Sequence, residues 1–207
     1  MERVLDVYKR PYSKDNPVIC MDESPKQLIE ELRPSIPMKS GRQTRTDYEY
    51  VRNGVVNIFM VNEPLKGKRL VEVTESKTKQ DWAMFMKRVD QKYPRAKRIT
   101  LVMDNFNTHN ASSFYETFEP KEAKRLWDRF EFIYTPKHGS WLNMAEIELH
   151  VLNGQCLNRH IPTIKKIKEE IKAWEKNRNN KQRKINWQFT TKDARIKLKR
   201  LYPSIND

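Results

Sequence analysis

Leu-Val-Met-Asp-Asn-Phe-Asn-Thr-His at 101–109 and Thr-Pro-Lys-His-Gly-Ser-Trp-Leu-Asn-Met-Ala-Glu-Ile-Glu at 135–148 decide how this chain is read. The first places a carboxylate, Asp104, at the end of an apolar run that reads as a buried strand over 98–104. The second leaves a short strand, 130–135, at Pro136 and enters an amphipathic helix over 142–158 that carries Glu146 near its start. Upstream, Val18-Ile19-Cys20-Met21 repeats the first pattern, with Asp22 closing a buried strand over 17–23.

Between these anchors, Val-Val-Asn-Ile-Phe-Met-Val-Asn at 55–62 and Lys-Arg-Leu-Val-Glu-Val-Thr at 68–74 read as a hairpin, with Pro64 and Gly67 supplying the turn. Residues 33–53 are rich in Pro and Arg and read mostly as loop. Trp82, Phe85, Met86 and Val89 fall on one face of a helix over 78–92. A second helical stretch, 111–130, is interrupted near Pro120, and another helix spans 163–178 before a basic tail. Three strands joined locally and two joined through helices predict an α/β fold, a mixed five-stranded sheet with helices on both faces.

The 207 residues suffice for one good core. Lys and Arg number 41 against 27 Asp and Glu, a formal net charge of +14, which favours a polyanionic partner through counterion release. From 159 to 200 there are 15 basic and four acidic residues, so most of the excess lies there. A solvated helix face would explain such a run equally well, but Trp174, Trp187 and Phe189 indicate that the segment packs on something. The chain therefore divides into a core, 1–158, and a basic helical C-terminal segment, 159–207, packed on it or extending it. Cys20 and Cys156 have no metal-ligand or redox spacing and read as buried free thiols. No run of about 18 apolar residues and no signal-peptide pattern is present, so no membrane role and a cytoplasmic location are expected.

The acids carry the chemistry. A lone strand-end Asp is commonly a turn or cap residue, but here the same placement occurs twice, 104 − 22 = 82 residues apart. That gap accommodates a hairpin and a crossover helix, as parallel pairing requires. If the two strands are parallel neighbours, their ends lie about 5 Å apart, at the carboxyl edge where open α/β sheets bind ligands. Two such carboxylates can share a divalent ion, and Mg²⁺ suits hard oxygen ligands. On a wheel starting at Leu142, Glu146 lies at about 40°, on a polar strip beside the core face, and Glu148 at about 240°, between Leu152 and Met144. The wheel leans to Glu146 without excluding Glu148. His109 and His138 gain interest only from proximity to the acids. There is no P-loop, dinucleotide fingerprint, H-E-x-x-H or nucleophile elbow.

Val-Ile-Cys-Met-Asp-Glu at 18–23, the two opening stretches, and Trp-Gln-Phe-Thr-Thr-Lys-Asp-Ala-Arg-Ile-Lys-Leu-Lys-Arg-Leu-Tyr-Pro at 187–203 together resemble a known family over nearly the whole chain. It is the DDE catalytic domain of bacterial insertion-sequence transposases of the mariner-like superfamily, the IS-six-thirty group. The resemblance implies a ribonuclease-H-like fold shared with retroviral integrases. It also implies DNA cleavage at transposon ends and strand transfer into target DNA, assisted by two Mg²⁺ or Mn²⁺ ions. Asp22, Asp104 and Glu146 take the places of the three acids. Glu146 is preferred because Leu142-Asn143 followed by Glu146 matches a Leu-Asn-x-x-Glu pattern.

Further implications are double-stranded DNA as partner, a homo-oligomer assembled on it, and phosphate contacts from Lys137, His138, Lys165, Lys166, Arg195, Lys197, Lys199 and Arg200. Three departures stand out. Prolines common in relatives are replaced by Ser140-Trp141 and Met144-Ala145; the gap from Asp104 to Glu146, 146 − 104 = 42, is longer than in compact relatives; and only about 20 residues precede Asp22. The expectation is a catalytic half from a split or truncated reading frame, with an upstream helix-turn-helix polypeptide as a candidate partner. The alternative is an inactive remnant that only binds DNA. A ribosome-type RNA-binding protein would satisfy the charge but leaves the acids without a role.

Overall fold

The structure is a computed structural model describing residues 1–33, 36–43 and 49–202. Its frame is a five-stranded mixed sheet in the order β3-β2-β1-β4-β5, formed by β1 (Val18–Glu31), β2 (Tyr50–Glu63), β3 (Lys68–Thr74), β4 (Ile99–Met103) and β5 (Phe130–Tyr134). β1, β2 and β3 are antiparallel neighbours, while β1–β4 and β4–β5 are parallel. The local joins make the antiparallel half, and the helical crossovers make the parallel half, as the sequence predicts.

All five residues of β4 are buried. A central parallel strand is covered on both faces, which is why its sequence is a continuous apolar run rather than an alternation. On one face Ile19, Met21, Phe59, Val61, Leu101 and Met103 pack against Trp82, Phe85, Met86 and Val89 of α2 (Lys79–Lys92). Phe114 of α3 (Ala111–Tyr115) and Ala123 and Leu126 of α4 (Pro120–Arg129) complete this layer. Each such large side chain contributes about 1.5–3 kcal/mol on burial. α2 opens on a capping box between Thr78 and Asp81, and Pro120 sits in the first turn of α4, where its missing N–H costs nothing.

The other face carries α1 (Glu2–Tyr8), α5 (Met144–Leu152), α6 (Ile164–Lys181) and α7 (Thr191–Lys197). Ile167, Ile171 and Trp174 of α6 pack with Val56, Ile58, Met60 and Val73 of the antiparallel half. Val4, Leu5 and Val7 of α1 and Ala194 of α7 cover Cys20, Val102 and Ile133. The basic C-terminal segment thus lies on the sheet. Both cysteines are free and buried, and burial pushes the Cys20 thiol up to about 12. Among the described residues no helix is long and apolar enough to cross a membrane.

Several elements differ from expectation. β1 continues past Asp22 to Glu31, and β2 begins at Tyr50, so residues 50–53 are strand rather than loop; residues 34–35 and 44–48 of that Pro- and Arg-rich stretch lie outside the described residues. This distal part of β1 pairs with β2 alone, with a register shift between Gln27 and Ile29. Asp22 therefore lies within a strand, at the point where the parallel partner stops. The helix expected over 142–158 is divided: a 3₁₀ turn (Ser140–Leu142), then α5, then a π turn (Asn153–Leu157). Asn143 is the N-cap of α5, which places the break after Leu142. α1 and α7 are additional short helices.

Candidate active site

The β1–β4 register fixes the first two carboxylates. Val18, Ile19 and Cys20 stand opposite Thr100, Leu101 and Val102, a constant offset of 82. Asp22 and Asp104 have the same offset, so the register carried two residues further sets them side by side. Asp22 has the parity of Cys20, which faces α5 and α1, while Asp104 follows the last strand residue, Met103.

Glu146 reaches them through its helix. Asn143 caps α5 by accepting the Ala145 N–H at 3.1 Å, and its amide donates to the Met21 carbonyl at 2.7 Å. That bond ties the first turn of α5, where Glu146 lies, to the strand residue before Asp22. Leu142 is anchored alongside, its carbonyl accepting the Tyr8 hydroxyl at 2.6 Å, and the Tyr8 ring packs at a tilt against Trp187, centroids 5.2 Å apart.

Burial pushes the Asp22 carboxyl up to about 7, and the negative charges of Glu23, Asp104 and Glu146 add to the rise. The Glu23 N–H, donating to Asp22 Oδ1 at 2.8 Å, opposes it. Among the described residues no basic side chain forms an ion pair with Asp22 or Glu146. Asp104 and Glu146 are near enough for their charges to act on Asp22, but among the described residues the acids whose ligand atoms lie within 4.8 Å of one another are Glu23 and Asp104, with His109, and that set does not include Asp22 or Glu146.

Asp104 is different. Its Oδ1 is buried and lies 2.8 Å from Nδ1 of His109, a fully buried ring. Nε2 of the same ring lies 3.4 Å from Glu23 Oε2. Both contacts are ion pairs, and Nδ1 also lies 3.4 Å from the Asp104 main-chain carbonyl. Burial pulls the imidazole down, but Asp104 and Glu23 outweigh it and hold His109 up to about 9, so the ring is a cation at neutral pH. Burial would raise both carboxyls, yet His109 keeps Asp104 below the usual range, and His109 with Lys77 does the same for Glu23. Lys77 closes the set, 3.0 Å from Glu23 Oε1 and 3.9 Å above the Phe106 ring. Glu23, Asp104 and His109 are close enough to share an ion. Each imidazole nitrogen faces a different carboxylate, however, and the proton already balances the charge.

Glu148 lies elsewhere. It is buried, and both oxygens accept from Arg69 of β3, at 2.6 and 2.8 Å, and from Arg178 of α6, at 3.1 and 3.2 Å. These guanidinium groups override burial and keep its carboxyl low.

The candidate phosphate-contact residues divide between two regions. Lys137 and His138 line a cleft of about 490 Å³ with Asp104, Phe106 and Tyr134. His138 is exposed and holds a left-handed backbone, φ 60°. Lys165 and Lys166 are exposed at the start of α6, and Lys166 pairs with Glu170. Arg195, Lys197, Lys199 and Arg200 are exposed around α7, with Arg195 bonded to Glu2 at 2.7 and 2.9 Å. The C-terminal segment approaches the cleft through Phe189, which meets Trp141 edge-on at 5.6 Å. Glu23, Lys77 and Arg69 have no individual signal in the sequence, beyond a charge set within a strand or beside one.

A mixed sheet in this order, with an aspartate within β1, another just after β4 and a glutamate on a helix across one face, is a ribonuclease-H-like fold. The chain belongs to the DDE superfamily endonuclease family, whose pattern it matches over residues 17–168. No match was found among curated protein sequences. Among solved structures, it is similar to the Mos1 mariner paired-end complex with Mn at TM-score 0.60 and 14% identity, covering 88% of this chain and 54% of that one. Similarity to the Mos1 strand transfer complex has TM-score 0.57 and 13% identity, over 88% and 56%. For a pre-cleavage Mos1 transpososome the values are 0.55 and 14%, over 90% and 61%. The chain thus spans a little over half the length of those proteins.

Proposed function

We propose that this chain is the catalytic domain of a transposase of the mariner-like superfamily, of the bacterial insertion-sequence kind, cutting DNA strands at transposon ends and joining them to target DNA. The observation that carries this reading is that Asp104 and Glu146 stand near enough to Asp22 for their charges to raise its carboxyl, with the β1–β4 register and the Asn143–Met21 bond supporting that neighbourhood. These three would hold Mg²⁺ or Mn²⁺. When bound, a pair of such ions activates a water or a 3′-hydroxyl and stabilises the leaving oxygen. The similar Mos1 complexes include one with Mn and one with Mg.

The chain's own residues supply placement. Asp22, raised to about 7 by burial, would hold the ion in its deprotonated form. Lys137 and His138 meet the backbone beside Asp104, while Lys165, Lys166, Arg195, Lys197, Lys199 and Arg200 add phosphate contacts along the basic segment 159–207. Assembly of more than one copy on DNA belongs to the same reading.

The test is nicking of transposon-end duplex with Mg²⁺ or Mn²⁺. The parent protein should cleave, and Asp104→Asn and Glu146→Gln should fold, bind DNA and not cleave. Cleavage by both variants at the parent rate would sink the acid assignment. Salt-dependent DNA binding by the parent with no metal-dependent cleavage would favour a remnant that only binds.

A further inference from the structure

The geometry points to Glu23 and His109 as positioning residues that orient both aspartates for metal, Asp22 through the Glu23 backbone and Asp104 through the His109 ring. The inference rests on the proposed role of Asp22 and Asp104 as ligands.

Neighbouring strand residues point to opposite faces, so Asp22 faces α5 while the Glu23 side chain passes to the α2 side. Glu23 thereby acts twice. Its N–H fixes Asp22 Oδ1 at 2.8 Å, and its carboxylate meets His109 Nε2 at 3.4 Å. The ring, 5.4 Å from Trp82, directs Nδ1 at Asp104 Oδ1 from 2.8 Å. One oxygen of each aspartate is thus placed, and the Phe106 N–H adds a bond to the Asp104 carboxylate. The Asp104 side chain remains 41% exposed although its Oδ1 is buried, so its other oxygen is the one turned outward.

A histidine that merely filled the core would not need carboxylates at both nitrogens. The line of charge from Lys77 through Glu23 and His109 ends on the one member that protrudes into the cleft, Asp104. Partners that orient a ligating carboxylate in this way typically govern metal affinity by about 10–100-fold.

The experiment is Mn²⁺ binding to the full chain without DNA, read by the electron paramagnetic resonance of free Mn²⁺, beside thermal unfolding. Glu23→Gln and His109→Leu should each raise the half-saturating Mn²⁺ by about 10–100-fold. His109→Asn, whose amide nitrogen stands where Nδ1 stood and can donate to Asp104, should recover most of that loss. A packing role predicts the opposite order, with Leu tolerated better than Asn. Unchanged Mn²⁺ binding in folded Glu23→Gln, or Leu binding as well as Asn at 109, overturns the inference. If His109→Leu does not fold, Glu23→Gln and His109→Asn decide. Parent binding that survives Asp104→Asn undiminished would instead overturn the underlying ligand assignment, and the inference with it.

Discussion

Asn143 donates to the Met21 carbonyl at 2.7 Å while accepting the Ala145 N–H at 3.1 Å, so one buried amide both starts α5 and fastens it to β1. The Leu-Asn-x-x-Glu pattern has a mechanical meaning here: the Asn sets the helix, and the Glu three residues on falls in its first turn.

Asn143→Ala removes the cap and leaves the Met21 carbonyl buried without a donor, a loss of about 2–3 kcal/mol in urea unfolding. Single-turnover nicking should fall on the order of 100-fold, as Glu146 loses its placement. Asn143→Ser keeps a capping oxygen but cannot reach Met21. It should regain about 1 kcal/mol and little of the rate; nicking at the parent rate would show that the strand bond is dispensable.

Glu146 and Glu148 should separate in opposite senses. Glu148→Ala leaves Arg69 and Arg178 unpaired and should lower stability by about 3–5 kcal/mol. Glu146→Gln should change stability by less than about 0.5 kcal/mol while abolishing cleavage. Thermal melting of Glu148→Ala at the parent temperature would contradict the structural role.

Asp22 gives a pH signature. Its folded value, raised to about 7 from an ordinary 3.8, favours the protonated form on folding. Its contribution is therefore full below pH 4 and is lost as pH rises through 7, at most about 4 kcal/mol. Without divalent ions, the difference in melting temperature between the parent and Asp22→Asn should move against the parent between pH 5 and 8. Mn²⁺ should reverse it at pH 8 more than at pH 6, because the ion competes with the proton.

His109 acts higher on the scale. Held up to about 9 from 6.5, its stabilisation is complete below pH 6.5 and lost as pH rises through 9. The parent should lose on the order of 5 °C in melting temperature between pH 7 and 9.5 that His109→Asn does not lose. Equal slopes for the two proteins would mean that the ring is neutral when folded.

Lys137 lines the cleft beside Asp104, and the proposed function gives it a phosphate contact there. Lys137→Ala should reduce the slope of log affinity against log salt by about one. Arg195, already bonded to Glu2, should change that slope less. A filter-binding series over salt distinguishes them.

How far the sequence discloses this site depends on the range of each interaction. The apolar run of β4, the α2 stripe and the equal framing of Asp22 and Asp104 are local patterns, visible because burial imposes them residue by residue. The distal arm of β1 is not visible: Ser24 to Glu31 is polar apart from Leu28 and Ile29 and includes Pro25, and its pairing with β2 makes it strand. α1 has seven residues, too few for a period to stand out. Glu148 lay near the core edge of the wheel, but its burial requires Arg69, 79 residues away on β3. His109 stood a few residues from Asp104, yet its significance depends on Glu23, which arrives from another strand.

The 82-residue offset between Asp22 and Asp104 belongs to three hydrogen-bonded pairs, Val18–Cys20 with Thr100–Val102, rather than to the chain between them. Lengthening the connection from Thr74 to Lys79 would alter the numbering and leave the two carboxylates where they are. Deleting one residue between Val102 and Asp104 would turn the second carboxylate to the opposite side of the sheet. The site is thus indifferent to large changes of spacing in one region and intolerant of a single residue in another, and descendants of this chain would be expected to drift in length accordingly.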